Sequence, residues 1–294
     1  MARPVRPYRS VLYIPASKAR ALEKARSLPA DAIIFDLEDA VAVEEKANAR
    51  ALLLETLREG GYAPRAQIVR LNPVETDWGE ADLAALLEIG PEALLLPKVE
   101  RPEQVEAVAA RLDAHPACAD TRIWAMMETP RCPFAAPGIT RAPRMAGFVM
   151  GTNDLAKDLG TRFRPDRLPL QWALQTCLAA ARAEGIACID GVYNAFRDIE
   201  GLRAECEQGR DLGMDGKTVV HPAQIEVANE IFAPTEEEIA LARRQIDAFE
   251  EARARGEGVA VVDGQIVENL HVDTARATLA QVEAIRSMSG REAA

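Results

Sequence analysis

The sequence predicts an α/β protein, a (β/α)8 TIM barrel followed by a small C-terminal helix–hairpin–helix cap. Three observations carry that expectation. Short apolar runs recur eight times, helical patterns separate them, and the alternation stops near residue 233. Runs that are apolar almost throughout suit parallel strands buried on both faces. Such a barrel takes roughly 250 residues, which leaves a short tail in a chain of 294. An open doubly wound sheet shares the alternation, but eight strand–helix units fit a closed barrel better.

The strands in order are "SVLYIP" (10–15), "AIIFDLE" (32–38), "QIVRLN" (67–72), "ALLLPK" (93–98), "RIWAMMET" (122–129), "AGFVMGTND" (146–154), "ACIDGVY" (187–193) and "KTVVHP" (217–222). Helical stretches such as "EEKANARALLLETLREGG" and "LPLQWALQTCLAAARAEG" lie between them, the second closed by Gly185 as a C-cap. Beyond "VVHPAQIEVANEIFAP", Thr235 and Glu238 form a capping box that opens a charged helix. "VAVVDGQIVE" then reads as a hairpin turning at Asp263-Gly264, and an amphipathic helix runs from about Val272 to Ser287. The expected domains are residues 1–233, the barrel, and 234–294, the cap.

A net charge of −11 argues against nucleic acid or an anionic membrane as the main partner. The charge is uneven, however. Residues 1–26 carry seven basic side chains (Arg3, Arg6, Arg9, Lys18, Arg20, Lys24, Arg26) against one acid, Glu23. No apolar stretch reaches the roughly 18 residues that span a bilayer, and the N-terminus lacks the apolar core of a signal peptide. Five cysteines, odd in number and without a CxxC pair, read as reduced core thiols of a cytoplasmic protein. Three histidines are too few for a His-rich zinc site.

In barrels of this kind, chemistry sits at the C-terminal ends of the strands. Here those ends offer Ser17, then Asp36, Glu38 and Asp39, then Arg70, Lys98, Glu128, Asp154, Asp190 and His221. Oxygen ligands without a Cys or His cluster suit a hard cation, and Mg²⁺ takes one or two carboxylates and leaves its other positions to substrate and water. Glu128 and Asp154 are the best pair, since both close bare apolar runs on adjacent strands. Asp36, Glu38 and Asp39 lie too close in sequence all to be ligands; they hold metal-bound water or neutralise Arg70 and Lys98. Arg70 either grips a substrate carboxylate or carbonyl bidentately or closes the barrel mouth as a salt bridge.

The motifs "RSVLYIPASKARALEKA", "ADAIIFDLEDAV", "IVRLN", "LLLPKVE", "MMETP" and "GTNDLAKDLG" resemble the citrate lyase β-subunit and malyl-CoA lyase (HpcH/HpaI aldolase) family, through most of the barrel and into the tail. The resemblance implies Mg²⁺, with Mn²⁺ as its substitute, on Glu128 and Asp154, and substrate on Arg70 and Glu128. It implies coenzyme A on Lys18, Arg20 and Lys24, consistent with the basic excess of residues 1–26. It also implies a cap that covers a neighbouring subunit's site, hence a homotrimer or dimer of trimers.

One departure is informative. Lyases of the family commonly carry "MID" in the C-terminal hairpin, whose Asp handles the proton of the acetyl-CoA methyl group. The matching stretch here is "GQIVENL", with Glu268 in that place. One extra methylene moves the carboxylate by about 1 Å, a shift that costs roughly 10²-fold in rate. "VVDGQIVENLH", "DGVYNAFRD" and "GLRAECEQGRDLG" look most like the (3S)-malyl-CoA thioesterase branch. The expected reaction is hydrolysis of (3S)-malyl-CoA to malate and CoA, with Glu268 (as base or nucleophile), Arg70 and Asp36 as catalytic residues. The alternative is carbon–carbon cleavage of malyl-CoA, β-methylmalyl-CoA or citramalyl-CoA to an acyl-CoA and glyoxylate or pyruvate. A non-catalytic CoA-ester-binding subunit is the third reading.

Overall fold

In the computed structural model, which describes residues 6–288 and 290, eight strands close into a parallel barrel in chain order. Arg3 and the outermost ends of the two expected domains lie outside the described residues. The strands are β1 (Ser10–Pro15), β2 (Ala32–Asp36), β3 (Ala66–Arg70), β4 (Ala93–Leu96), β5 (Arg122–Met127), β6 (Met145–Met150), β7 (Ala187–Asp190) and β8 (Gly216–Val219). β8 pairs with β1, which completes the closure, so the open sheet is set aside. The connecting helices are α1 (Ala19–Ala25), α2 (Lys46–Glu59), α3 (Asp77–Leu87), α4 (Pro102–Asp113), α5 (Cys132–Ile139), α6 (Thr152–Leu159), α7 (Gln171–Glu184), α8 (Ile199–Leu212) and α9 (Ile225–Ile231).

Alternation along the strands decides what reaches the barrel mouth. Val11, Ile34, Ile68, Leu95, Trp124, Met126, Val149 and Ile189 pack together inside the barrel. Leu12, Phe35, Val69, Phe148 and Cys188 pack against the helices instead. Side chains two residues apart share a face. Asp36 therefore continues the inward row of Ile34, Arg70 that of Ile68, and Glu128 that of Met126. Asp190 continues the outward row of Cys188.

The second compact unit comprises residues from Ala233 onward together with a short N-terminal stretch. Its first helix, α10 (Glu236–Ala254), starts with a reciprocal cap: the Glu238 N–H donates to Thr235 Oγ1 at 3.2 Å, and Glu238 Oε2 accepts from the Thr235 N–H at 2.7 Å. β9 (Ala260–Val262) and β10 (Gln265–Val267) form an antiparallel hairpin. Asp263 and Gly264 both take positive φ, 51° and 79°, as a two-residue turn with the hand of the strand twist requires. Phe249, Ala252, Val262, Val267 and Val272 give this unit an apolar core of its own. The last helix, α11 (Asn269–Met288), begins three residues before the expected Val272. Its first three residues are not buried, so no apolar periodicity announces them; Val272 and Ala275 are the first inward positions.

Candidate active site

A cavity of about 320 Å³ opens at the C-terminal end of the barrel, and Asp36, Arg70, Glu128 and Asp154 all line it. A larger hollow of about 510 Å³ lies between α5 and α7, bordered by Trp172 and by Arg141 and Glu184, which pair with each other at 2.9 Å. That hollow brings together no unpaired charge, so the chemistry belongs to the barrel mouth.

Arg70 is buried and its two-pronged face is taken. Nε donates to Asp36 Oδ1 at 2.7 Å and Nη2 to Asp36 Oδ2 at 2.6 Å. The bidentate grip expected on substrate is thus spent within the protein, and Nη1 is the edge that remains. Nη1 lies 2.8 Å from Glu38 Oε2, close enough for an ion pair, yet that buried oxygen accepts no well-directed hydrogen bond. Asp36 also accepts from the Glu38 and Ala40 N–H groups at 2.9 and 3.2 Å. With both oxygens engaged, Asp36 stands as the side chain that holds the Arg70 guanidinium in place. Asp39 is largely exposed, 3.8 Å from Nη1 at the rim.

Glu128 follows β5 directly and is 1% exposed. Its Oε1 accepts the Lys98 backbone N–H at 2.8 Å. To present that N–H, Lys98 takes a φ of +49°, a left-handed conformation that costs about 1 kcal/mol or more for a non-glycine residue. The Lys98 ammonium reaches across to Asp154 Oδ1 at 3.2 Å. Asp154 does not end a strand. β6 stops at Met150, and Asp154 stands in the first turn of α6. Gly151 makes room between them: a Cβ there would lie 2.6 Å from Glu128 Oε2.

Burial raises the Glu128 carboxyl above its ordinary value against the pull of Lys98. Burial also pushes Glu38 up to about 7 despite Arg70, with Asp39 and Glu128 adding to the rise. The acidic side chains of Asp36, Glu38, Asp39, Glu128 and Asp154 outnumber the cations of Arg70 and Lys98, so the mouth carries an acidic surplus even with Glu38 partly protonated near neutral pH. That surplus, the pair of adjacent oxygen donors and the Gly151 clearance fit a divalent hard cation. Among the described residues no group of three or more His, Cys, Asp or Glu could cage a metal, so substrate and water would complete the coordination.

Two strand-end residues have other roles. Asp190 lies behind the barrel wall, bound by Arg167 Nη1 at 2.7 Å and Lys217 Nζ at 3.1 Å. His221 caps the turn after β8 through Nδ1, which accepts from the Ala223 N–H at 3.1 Å, and stacks on Phe196. Ser17 sits in the turn after β1, away from the cavity lining. Lys18, Arg20 and Lys24 are exposed at α1, whereas Arg26 is tied to Glu59 and Arg9 to Asp31. Glu268, in the second unit, is exposed and immediately precedes α11; its N–H donates to His271 Nδ1 at 3.0 Å.

The model of the HpcH/HpaI aldolase/citrate lyase family matches residues 9–222. The chain belongs to that family. Over 285 residues it is 61% identical to a (3S)-malyl-CoA thioesterase of Cereibacter sphaeroides strain KD131, covering 97% of this chain and 98% of the relative. It is 33% identical over 293 residues to the citrate lyase subunit beta of Escherichia coli K12, covering 96% and 95%. Among solved structures, CitE of Mycobacterium tuberculosis, in complex with magnesium, acetoacetate and coenzyme A, superposes with a TM-score of 0.76 at 30% identity, covering 96% of this chain and 98% of that one. No helix among the described residues is long and apolar enough to cross a membrane.

Within this family member, the sequence reading overlooked Tyr13 and Asn194, both of which line the cavity. Tyr13 was hidden inside an apolar strand, and only its inward parity with Val11 would have revealed it. Asn194 forms a reciprocal amide pair with Asn153, 2.9 and 3.2 Å, which ties the loop after β7 to the start of α6 beside Asp154. No spacing in the sequence signals that contact, because 41 residues separate the partners.

Proposed function

We propose that this chain is a Mg²⁺-dependent thioesterase that hydrolyses (3S)-malyl-CoA to malate and CoA. The observation that carries this reading is the 61% identity to a (3S)-malyl-CoA thioesterase along almost the whole of both chains. The acidic surplus at the barrel mouth supports the metal. Glu128 and Asp154 hold Mg²⁺, or Mn²⁺ in its place. Bound there, the ion supplies Lewis-acid polarisation of the acyl group's oxygens. Arg70 donates from its Nη1 edge, which lies beside Glu38, to an acyl oxygen, while Asp36 fixes the guanidinium plane and so spares the substrate the cost of ordering it. Glu38, Asp39 and Lys98 tune the charge around that oxygen. Lys18, Arg20 and Lys24 meet the phosphates of CoA.

Glu268 takes a proton from the water that adds to the thioester carbon. The C–S bond then breaks, CoA leaves as a thiolate that picks up a proton from solvent, and Glu268 returns its own proton to solvent to restore the carboxylate. In this reading Glu268 serves the site of a neighbouring copy, so the assembly is a homotrimer or a dimer of trimers. A cytoplasmic setting agrees with five cysteines that are all buried and unpaired.

The test incubates the purified chain with malyl-CoA and Mg²⁺ and follows malate, free thiol, glyoxylate and acetyl-CoA together. Malate and thiol released in step, without glyoxylate, is the expected result. Glyoxylate with acetyl-CoA would replace hydrolysis by carbon–carbon cleavage, and no turnover would leave a binding subunit.

A further inference from the structure

We propose that the Tyr13 hydroxyl is a substrate-facing hydrogen-bond donor, which exchanges its present sulfur acceptor for an oxygen of the bound acyl group. This rests on the reading above, that the cavity takes a short acyl chain carrying hydroxyl and carboxylate oxygens. Tyr13 stands on β1 in the inward row of Val11 and lines the cavity together with Arg70 and Glu128. The Arg70 guanidinium lies over its ring, 5.0 Å from the centroid. That contact anchors the ring.

The hydroxyl donates to Met126 Sδ at 3.3 Å. A thioether sulfur is a weak acceptor, and an enclosed phenol ordinarily finds an oxygen or nitrogen. The nearby carboxylates do not take it. Asp36 is saturated by Arg70 and two backbone N–H groups, and Glu128 Oε1 accepts from Lys98. Burial raises the phenol well above its ordinary range, against the pull of Arg70, so it stays protonated and acts as a donor, not a base. A neutral donor suits this place. It meets an anionic or carbonyl oxygen without altering the charge on which the cation depends. A weak O–H···S hydrogen bond at a cavity wall is also exchanged at little cost when a better acceptor arrives.

The discriminating experiment pairs Tyr13→Phe with Met126→Leu. Tyr13→Phe keeps the ring and its contact with Arg70. Its KM for malyl-CoA should rise about tenfold, the worth of one net hydrogen bond, with kcat and the melting temperature near wild type. Calorimetry with malate in the presence of Mg²⁺ should show the same tenfold weakening. Met126→Leu removes the resting acceptor and should stay within about twofold of wild type in both measurements. Wild-type KM and malate affinity in Tyr13→Phe would overturn the assignment. So would an equal loss in both variants, which would make the O–H···S contact a support of the barrel wall. If the wild type binds malate but hydrolyses no malyl-CoA, the thioesterase reading fails while malate binding still decides Tyr13; if it does neither, both fall.

Discussion

The inner and outer faces of one barrel each hold a cluster of buried charge, and the two are balanced differently. Behind β7 and β8, Asp190 and Glu205 meet Arg167 and Lys217: two acids, two bases. Lys217 Nζ lies 3.1 Å from Asp190 and 2.7 Å from Glu205, and Lys217 and Asp190 are both fully buried. At the barrel mouth, Asp36, Glu38, Asp39, Glu128 and Asp154 face Arg70 and Lys98, and the surplus opens onto a cavity. A sealed cluster must neutralise itself, because nothing else will solvate it. An open one can remain short of positive charge when a ligand completes it. The difference teaches that in this fold charge balance, more than burial, separates support from function.

The strongest way to break the comparison is Asp154→Ala. Removing one of the two donors should abolish most metal-dependent turnover, about 10³-fold in kcat/KM for several kcal/mol of lost charge stabilisation. The far-UV spectrum and melting temperature should hold, since the Asp154 side chain is 29% exposed and pairs only with a half-exposed lysine. Unchanged Mg²⁺ dependence in the variant would remove Asp154 from the metal site.

Asp190→Asn should do the reverse. Two cations would be left with one partner in the interior, at a cost of about 3–5 kcal/mol of stability by denaturant unfolding, with kcat of the folded fraction retained. Burial alone would raise the Asp190 carboxyl, but Lys217 and Arg167 outweigh it and hold it below the ordinary range. Its contribution is therefore present above about pH 4, the unfolded carboxyl's region, and lost as pH falls through the lower folded value. The Asn variant should lack that acid-side loss. A kcat defect without a stability defect would make Asp190 part of the active site after all.

Much of this was legible in advance, for reasons that differ by residue. The barrel could be read because buried parallel strands leave near-continuous apolar runs, and the hairpin because Asp263-Gly264 has few other uses. Glu128 and Arg70 could be found as charges ending such runs. The same rule wrongly gathered Asp190, because a list of strand ends ignores parity: Ile189 faces in, so Asp190 faces out. Counting in twos from Ile34, Ile68 and Met126 would have separated the clusters. The Asp36 hold on Arg70 was one of the two readings the sequence offered, but the Lys98 backbone twist left no trace in it, since it is set by a neighbour 30 residues away.

Glu268 belongs to neither cluster, and Glu268→Gln asks whether a further carboxylate joins the inner one on assembly. The substitution keeps size and removes charge, so hydrolysis should fall about 10²-fold, the scale of a positioned base. Hydrolysis at the wild-type rate would leave Glu268 as a solvated acid at the start of α11. Light scattering on the wild type sets the frame, because a fully active monomer would rule out a contribution from a neighbouring copy.

The smallest effect concerns Lys98. Its ammonium sits 3.2 Å from Asp154 Oδ1 and its side chain is 44% exposed. Glu128 and Asp154 raise its proton affinity despite partial burial, so it carries full charge at neutral pH. If Glu128 and Asp154 hold the ion, this ammonium competes with it for Asp154. Lys98→Gln leaves the backbone N–H that holds Glu128 and deepens the local negative charge by one unit. Mg²⁺ should then bind more tightly, but only about two- to fivefold, because solvent screens a half-exposed pair. A Mg²⁺ titration of activity, repeated with Mn²⁺ by calorimetry, measures the shift, and added salt should shrink it. Weaker metal binding in Lys98→Gln would mean that the ammonium organises Asp154 for the ion instead of competing with it. The inner cluster would then be better balanced, and closer in kind to the outer one, than its charges suggest.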